Sequence, residues 1–137
     1  MKEFFLMLFF AKSILLTPGS VELSNDWTQI PLDEPLEAIT SGAAIYLDVS
    51  TYVDAGLSID KLDETFPAGT VEVRLVQKDG QETLLENSSA YSFEESKVYL
   101  ILGAADGVPT GKEFTRLYAR SAKTLSGVSL AWRNHRK

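Results

Sequence analysis

The chain of 137 residues contains no cysteine. That absence removes disulfide staples, thiolate metal sites and thiol nucleophiles together. Histidine occurs once, at His135, among Arg133, Asn134, Arg136 and Lys137 at the very end. A catalytic triad needs a base held beside its nucleophile and a third group orienting that base. A lone histidine in a basic terminal tail supplies neither, so histidine-borne catalysis drops out. Positive net charge is also missing: the balance is −6, which argues against a nucleic-acid binder. Internal repeats and low-complexity tracts are absent, and beyond residue 16 no long apolar run occurs.

Other chemistry-bearing patterns are present but sparse. Asp33/Glu34, Asp63/Glu64 and Glu94/Glu95 are carboxylate pairs. Acid–base catalysis needs two environments that push the pKa values apart, and adjacent acids in turns and on strands mostly face water. Asp54, Asp60, Asp63 and Glu64 fall in one region rich in oxygen ligands, without the spacing of an EF-hand loop. The run Gly103–Gly111 has glycines, but a strand follows it where a phosphate cradle needs a helix. Asn87-Ser88-Ser89 fits the N-glycosylation sequon, a pattern that chance often produces. No catalytic residue, cofactor or metal is expected.

The strongest positive signal is the apolar opening, Phe4 to Leu16, closed by Thr17-Pro18-Gly19-Ser20. Read as a helix, thirteen residues reach only about 20 Å at about 1.5 Å per residue. A hydrocarbon core of about 30 Å is out of reach. Read as a secretory leader, the segment has Lys2 at its start, but Glu3 offsets that charge. Lys12 interrupts its apolar stretch, and no Ala-x-Ala stands before Val21. The preferred reading is a retained arm that packs on a neighbouring subunit or in a membrane interface, where Lys12 can snorkel. Residues 1–20 are therefore assigned to the arm and 21–137 to one folded domain. Phe4, Phe5, Leu8 and Phe9 are its expected partner contacts.

Charge is unevenly distributed. Residues 1–111 hold 6 Lys/Arg against 18 Asp/Glu, whereas residues 112–137 hold 7 against Glu113 alone. Arg116 and Arg120 could be paired internally, facing Glu72, Glu82 or Glu86 across a sheet. The alternative is a basic face, with Arg116, Arg120, Arg133, Arg136 and Lys137 meeting an acidic partner. Arg133, Arg136 and Lys137 are placed at or beyond the end of the last strand, where few acids of the same domain are expected to reach.

Periodicity in the domain is almost all strand. Ala43, Ile45, Leu47 and Val49 alternate with Ala44, Tyr46, Asp48 and Ser50, the pattern of a half-buried strand. Val71, Val73 and Leu75 alternate likewise, and Lys78-Asp79-Gly80-Gln81 turns a hairpin into Glu82–Glu86. A further short strand carries Tyr91 and Phe93. Val98–Leu102 is apolar on both faces and reads as central. Phe114–Ser121 and Val128–Arg133 read as a final hairpin with Trp132 in the core, and Leu100 and Trp132 are expected on opposing or adjacent strands. Val21–Leu23 and Trp27–Ile30 are shorter, and Pro31 and Pro35 push their neighbourhood to an edge. Only Leu57–Phe66 suggests helix, with Ser58 as cap and Ile59, Leu62 and Phe66 on one face.

The expected class is all-β: an antiparallel β-sandwich, immunoglobulin-like or jelly-roll, with an apolar N-terminal arm. The expected function is a non-enzymatic assembly subunit of a virion or of a surface or membrane-associated complex, joining homo- or hetero-oligomers. Membrane contact would run through residues 4–16, and nucleic acid is not expected. The alternative is an exported module, periplasmic or secreted, that binds a carbohydrate or protein. Tyr46, Tyr52, Tyr91, Tyr99 and Tyr118 would supply its contact surface.

Overall fold

The computed structural model describes residues 12–17, 19–54, 56 and 58–134. The strands are β1 (Lys12–Leu15), β2 (Val21–Leu23), β3 (Thr28–Ile30), β4 (Leu36–Glu37) and β5 (Ala44–Asp48), then β6 (Val71–Gln77), β7 (Glu82–Glu94), β8 (Lys97–Gly103), β9 (Glu113–Ser121) and β10 (Leu125–Asn134). Between β5 and β6 lie helix α1 (Ser50–Asp54), a 3₁₀ turn at Ile59–Lys61 and helix α2 (Leu62–Thr65). The all-β expectation is met.

Pairing is nested. β1 and β2 pair with β10, β3 and β4 with β9, β5 with β8, and β6 with β7. The first strands thus meet the last, and the scheme closes inward on the β6–β7 hairpin. Ladders between β10 and β5, β6 and β9, and β7 and β8 join these pairs sideways. The result is one antiparallel path, β1-β10-β5-β8-β7-β6-β9-β3, curled into a half-barrel.

Alternation puts the core on the inner face. Val71, Val73 and Leu75 of β6 are fully buried between partly exposed Glu72 and Arg74. Cross-strand rows continue the pattern: Leu130, Leu47 and Leu100 share one, and Trp132, Ile45 and Leu102 the next. Leu100 and Trp132 are both fully buried, but β5 stands between their strands. Across the core the Trp132 ring meets Phe114 of β9 edge-on at 6.4 Å. Where the two ends of the sheet approach, Ile14 and Leu16 pack against the core beside Leu32.

Several expectations are corrected. β9 and β10 do not form a hairpin, because each pairs elsewhere and they lie in opposite halves of the path. Their apolar faces look at one another across the core, so the segment between them is a crossover. β5 is buried on both faces: Ala44 and Tyr46, on the outside, are also covered. The return strand after the hairpin and the Tyr91 strand are one strand, β7, whose register with β8 slips between Asn87 and Tyr91. The expected helix is a short 3₁₀ turn plus one α turn. Its cap is Ser58, whose Oγ accepts from the Asp60 N–H at 3.3 Å, while Ile59 is 51% exposed rather than inward. α1 carried no sequence signal.

β1 falls inside the segment assigned to the arm. It pairs over four residues with β10, from Lys12↔Asn134 to Leu15↔Ala131. Leu16 N–H donates to the Leu130 carbonyl at 2.9 Å, and the buried Thr17 hydroxyl accepts from Leu130 N–H. Phe4, Phe5, Leu8 and Phe9 lie outside the described residues, as do His135, Arg136 and Lys137.

Asn87 is the most instructive buried polar group. Fully enclosed, its Oδ1 accepts from Val71 N–H at 2.8 Å, and its Nδ2 donates to the carbonyls of Phe66 and Pro67, both at 3.1 Å. The side chain ties the turn after α2 to the start of β6. An amide enclosed in this way is a structural clasp and offers no acceptor for a glycan in the folded protein.

Candidate functional site

Two clusters of aromatic rings and guanidinium groups stand on the outer surface of the sheet, one on each half. The first lies on β10, β5 and β8. Tyr46 and Tyr99 meet edge to face at 5.7 Å. Arg133 lies over both, with Cζ 4.3 Å from the Tyr46 ring centroid and 5.2 Å from that of Tyr99. Its two terminal nitrogens donate to the two carboxylate oxygens of Glu94, the Nη2–Oε1 contact being 2.7 Å. Glu94 also accepts from Ser92 Oγ at 2.6 Å. This fork holds the Arg133 pKa above its ordinary value, outweighing partial desolvation. Burial raises the Tyr46 phenol, with the Arg133 charge opposing.

With Arg133 neutralised by Glu94, this face is apolar and aromatic. Ile101 and Ala131 extend it, and Leu15, opposite Ala131, is 63% exposed. Beside it, a concavity of about 370 Å³ opens between Leu15, Ser20, Asp48, Lys97 and Tyr99. Lys97 Nζ stands 3.4 Å from Asp48 Oδ2 on its wall.

The second cluster covers β3, β9 and β6. Glu72 and Arg120 are cross-strand partners, joined Nε to Oε1 at 2.8 Å. Arg120 Cζ lies 4.4 Å from the Trp27 ring, and Arg74 Cζ stands 4.8 Å from Trp27 and 4.6 Å from Tyr118. Arg74 is thereby held between two rings, with Glu82 Oε1 3.8 Å from its Nε. Arg116 Nη1 reaches the Tyr118 hydroxyl at 3.5 Å. Such contacts at exposed sites contribute about 0.5–1 kcal/mol each, enough to order the arginines on the sheet.

The residues expected as one basic region are therefore divided. Arg116 and Arg120 lie together on β9, whereas Arg133 lies on the other half of the sheet. Arg120 takes the internal pairing with Glu72 that the sequence offered as one reading. Arg133 was expected beyond the reach of acids in its own domain, but β10 extends through Asn134 and the side chain reaches Glu94 across the outer face. Tryptophan and arginine at Trp27 and Arg74 were not singled out; only the register of β3, β9 and β6 brings them together.

The five tyrosines do not form one surface. Tyr52 packs edge-on against Phe66 at 5.9 Å, and its hydroxyl accepts from Ser126 N–H. Tyr91 donates its hydroxyl proton to Asp63 Oδ1. Burial is the first cause, and this bond the second, that pushes its phenol up to about 12. Among the described residues no three His, Asp or Glu side chains converge as metal ligands, and no helix is long and apolar enough to cross a membrane. The loop 103–111 links β8 to β9, with Gly107 (φ +84°) packed so closely on Ser41 that an added Cβ would lie 3.0 Å from its side chain.

Comparison with protein-family models, curated proteins and solved structures finds no match to the chain.

Proposed function

We propose that the chain is a non-enzymatic assembly subunit, built on a jelly-roll sandwich, that joins a larger particle or a membrane-associated surface complex. The nested pairing supports the jelly-roll form: a long antiparallel ribbon wound around one core pairs first with last and so inward. The observation that carries the functional reading is where the apolar arm enters the fold. Residues 1–11 lead directly into β1, the edge strand next to β10, and the outer face beyond β10 is the apolar one with Tyr99, Ile101 and exposed Leu15. Exposed apolar surface on a small domain marks an association site, and here it borders β1, the strand that follows the Phe- and Leu-rich residues 4–10 in the sequence. Cleavage ahead of Val21 would also strip β1 from the sheet, which favours keeping at least residues 12–20.

The test compares the full chain with a variant lacking residues 1–11, by sedimentation velocity alone and with anionic and zwitterionic vesicles. Association or vesicle binding should be lost while the melting temperature holds. Unaltered association in the truncated chain refutes the reading.

A second reading, an exported module for carbohydrate or protein, is favoured by the concavity beside Tyr99. Its size falls within the roughly 300–1,000 Å³ of small-ligand sites, and it sets an aromatic ring beside Asp48, Lys97 and Ser129. Binding of a neutral glycan that vanishes in Tyr99→Ala would favour this reading over assembly.

A further inference from the structure

The β6–β7 hairpin leaves part of a strand edge open. Gln77 N–H donates to the Gln81 carbonyl at 2.8 Å, and Gly80 N–H to the Gln77 carbonyl at 2.9 Å. These bonds fix the phase of the ladder: in an antiparallel pair, hydrogen-bonded and non-bonded pairs alternate. The bonded pairs are Leu75/Thr83 and Val73/Leu85, so Glu82 and Leu84 turn their own N–H and C=O groups away from β6. β8 takes up that side of β7 only from Glu86 onward, where Glu86 faces Gly103. Among the described residues no strand pairs with the edge at Glu82 and Leu84.

Past Gly103 the chain departs and leaves a groove of about 600 Å³ beside this edge. Leu84, Ala104, Ala105 and Pro109 line it with apolar surface, and Glu82, Glu86 and Asp106 line it with carboxylates. The far wall is anchored: Val108 is buried, its N–H donates to Ser41 O at 3.0 Å, and Gly111 N–H donates to Ala38 O at 3.2 Å. The groove is thus held open by packing on both sides. Leu84 is 46% exposed at its rim.

We propose that this open edge of β7 is a strand-addition site for an extended polypeptide segment bearing lysine or arginine. Charge selects the occupant. Glu86 stands opposite Glu72 in the ladder, an unfavourable like-charge pair. Arg120 compensates Glu72, but no cation of the described chain pairs with Glu86 or Asp106. A basic segment would relieve that repulsion while its main chain satisfies the Glu82 and Leu84 groups. Edge-to-edge pairing of two copies through β7 would instead set Glu82 and Glu86 against their counterparts, so a second copy using this edge is disfavoured.

This site is separate from the outer face used for assembly, and the experiment keeps the two apart. The full chain is titrated with a synthetic peptide of alternating lysine and valine, with its glutamate–valine counterpart, and with a fully N-methylated lysine–valine version. Calorimetry reads affinity, and hydrogen exchange reads the Glu82 and Leu84 amides. Only the first peptide should bind, slowing exchange at both amides by tenfold or more. Glu82→Gln with Glu86→Gln should weaken it about tenfold. Leu84→Pro should abolish binding while leaving the β6 ladder intact, because that N–H is not used in the fold. Removing residues 1–11 should leave peptide binding unchanged, whatever it does to assembly. Failure of the lysine–valine peptide to bind, or binding that survives N-methylation, overturns the proposal. So does protection of the Leu84 amide in the free chain that fades on dilution, which would assign the edge to a second copy.

Discussion

Replacing Asn87 by Ala tests whether one buried amide holds the β6 entry in place. The side chain makes three hydrogen bonds, to Val71 N–H, Phe66 O and Pro67 O. Pro67 O keeps other donors, since Thr70 N–H and Oγ1 both reach it. Val71 N–H and Phe66 O have no such reserve among the bonds of this turn. Leaving a buried donor or acceptor unpaired costs about 1–3 kcal/mol. Two orphaned groups, partly relieved by relaxation of an exposed turn, place Asn87→Ala at about 2–4 kcal/mol of destabilisation. In a domain of this size that lowers the melting temperature by roughly 3–5 °C per kcal/mol.

Asn87→Asp sharpens the test. It keeps the acceptor for Val71 N–H but aims a second carboxylate oxygen at two carbonyls, in a site fully closed to water. Burial and the carbonyl dipoles raise the folded pKa of such an acid. A raised pKa means that stability is retained at low pH and lost as pH rises through the folded value. Asn87→Asp should therefore fall below Asn87→Ala at neutral pH and recover toward acid, where the protonated carboxyl can donate once. Urea denaturation curves across pH decide the matter. An Asn87→Ala midpoint equal to that of the parent, or an aspartate variant indifferent to pH, would refute the clasp.

Leu100→Ala should cost about 2–5 kcal/mol in chemical denaturation, because the fully buried side chain shares its row with Leu47 and Leu130 and leaves a cavity when removed. The Tyr91 phenol, pushed up from 10.0 to about 12, contributes stability that is intact below pH 10 and lost as pH climbs toward 12. Tyr91→Phe should lose that contribution at neutral pH and flatten its loss over this alkaline interval, as measured by denaturation at a series of pH values. Removing residues 1–17 instead of 1–11 should lower the melting temperature, because β1, Leu16 and Thr17 all bond to β10; equal melting of the two truncated chains would show that β1 contributes nothing.

The parts of the fold legible in the sequence were those written in local alternation or turn chemistry. Val71–Leu75 alternates, and Asp79-Gly80 supplies the positive φ of a three-residue turn, here +94° at Gly80, so the first hairpin could be read directly. Pro31 and Pro35 pointed to an edge, and β3 and β4 lie there. What misled was the assumption that neighbouring strands pair. β9 and β10 have the length, alternation and glycine-bearing connection of a hairpin, and no local feature distinguishes that from a crossover. Their separation is decided by partners far away in sequence: β6 and β3 claim β9, while β5 and β1 claim β10.

Candidate contacts were legible residue by residue but not as surfaces. The surplus of cations after residue 111 was visible, yet its arrangement depends on strand register. Arg120 falls opposite Glu72 because β6 and β9 pair in that register, and a shift of one residue would send it to the other face. Arg133 looked solvated because its nearest acids in sequence are remote, but the outer face of the sheet brings Glu94 to it across Tyr46 and Tyr99. Both arginines therefore spend their charge inside the chain. The acids of the β7 groove show the reverse case. In the sequence Glu82 and Glu86 read only as pairing partners for arginine and Asp106 as a loop acid, and they come to line one groove only because β8 ends at Gly103 while β7 runs on. An unpaired edge follows from two strands of unequal length meeting at a bend, and local sequence does not encode where a neighbour stops.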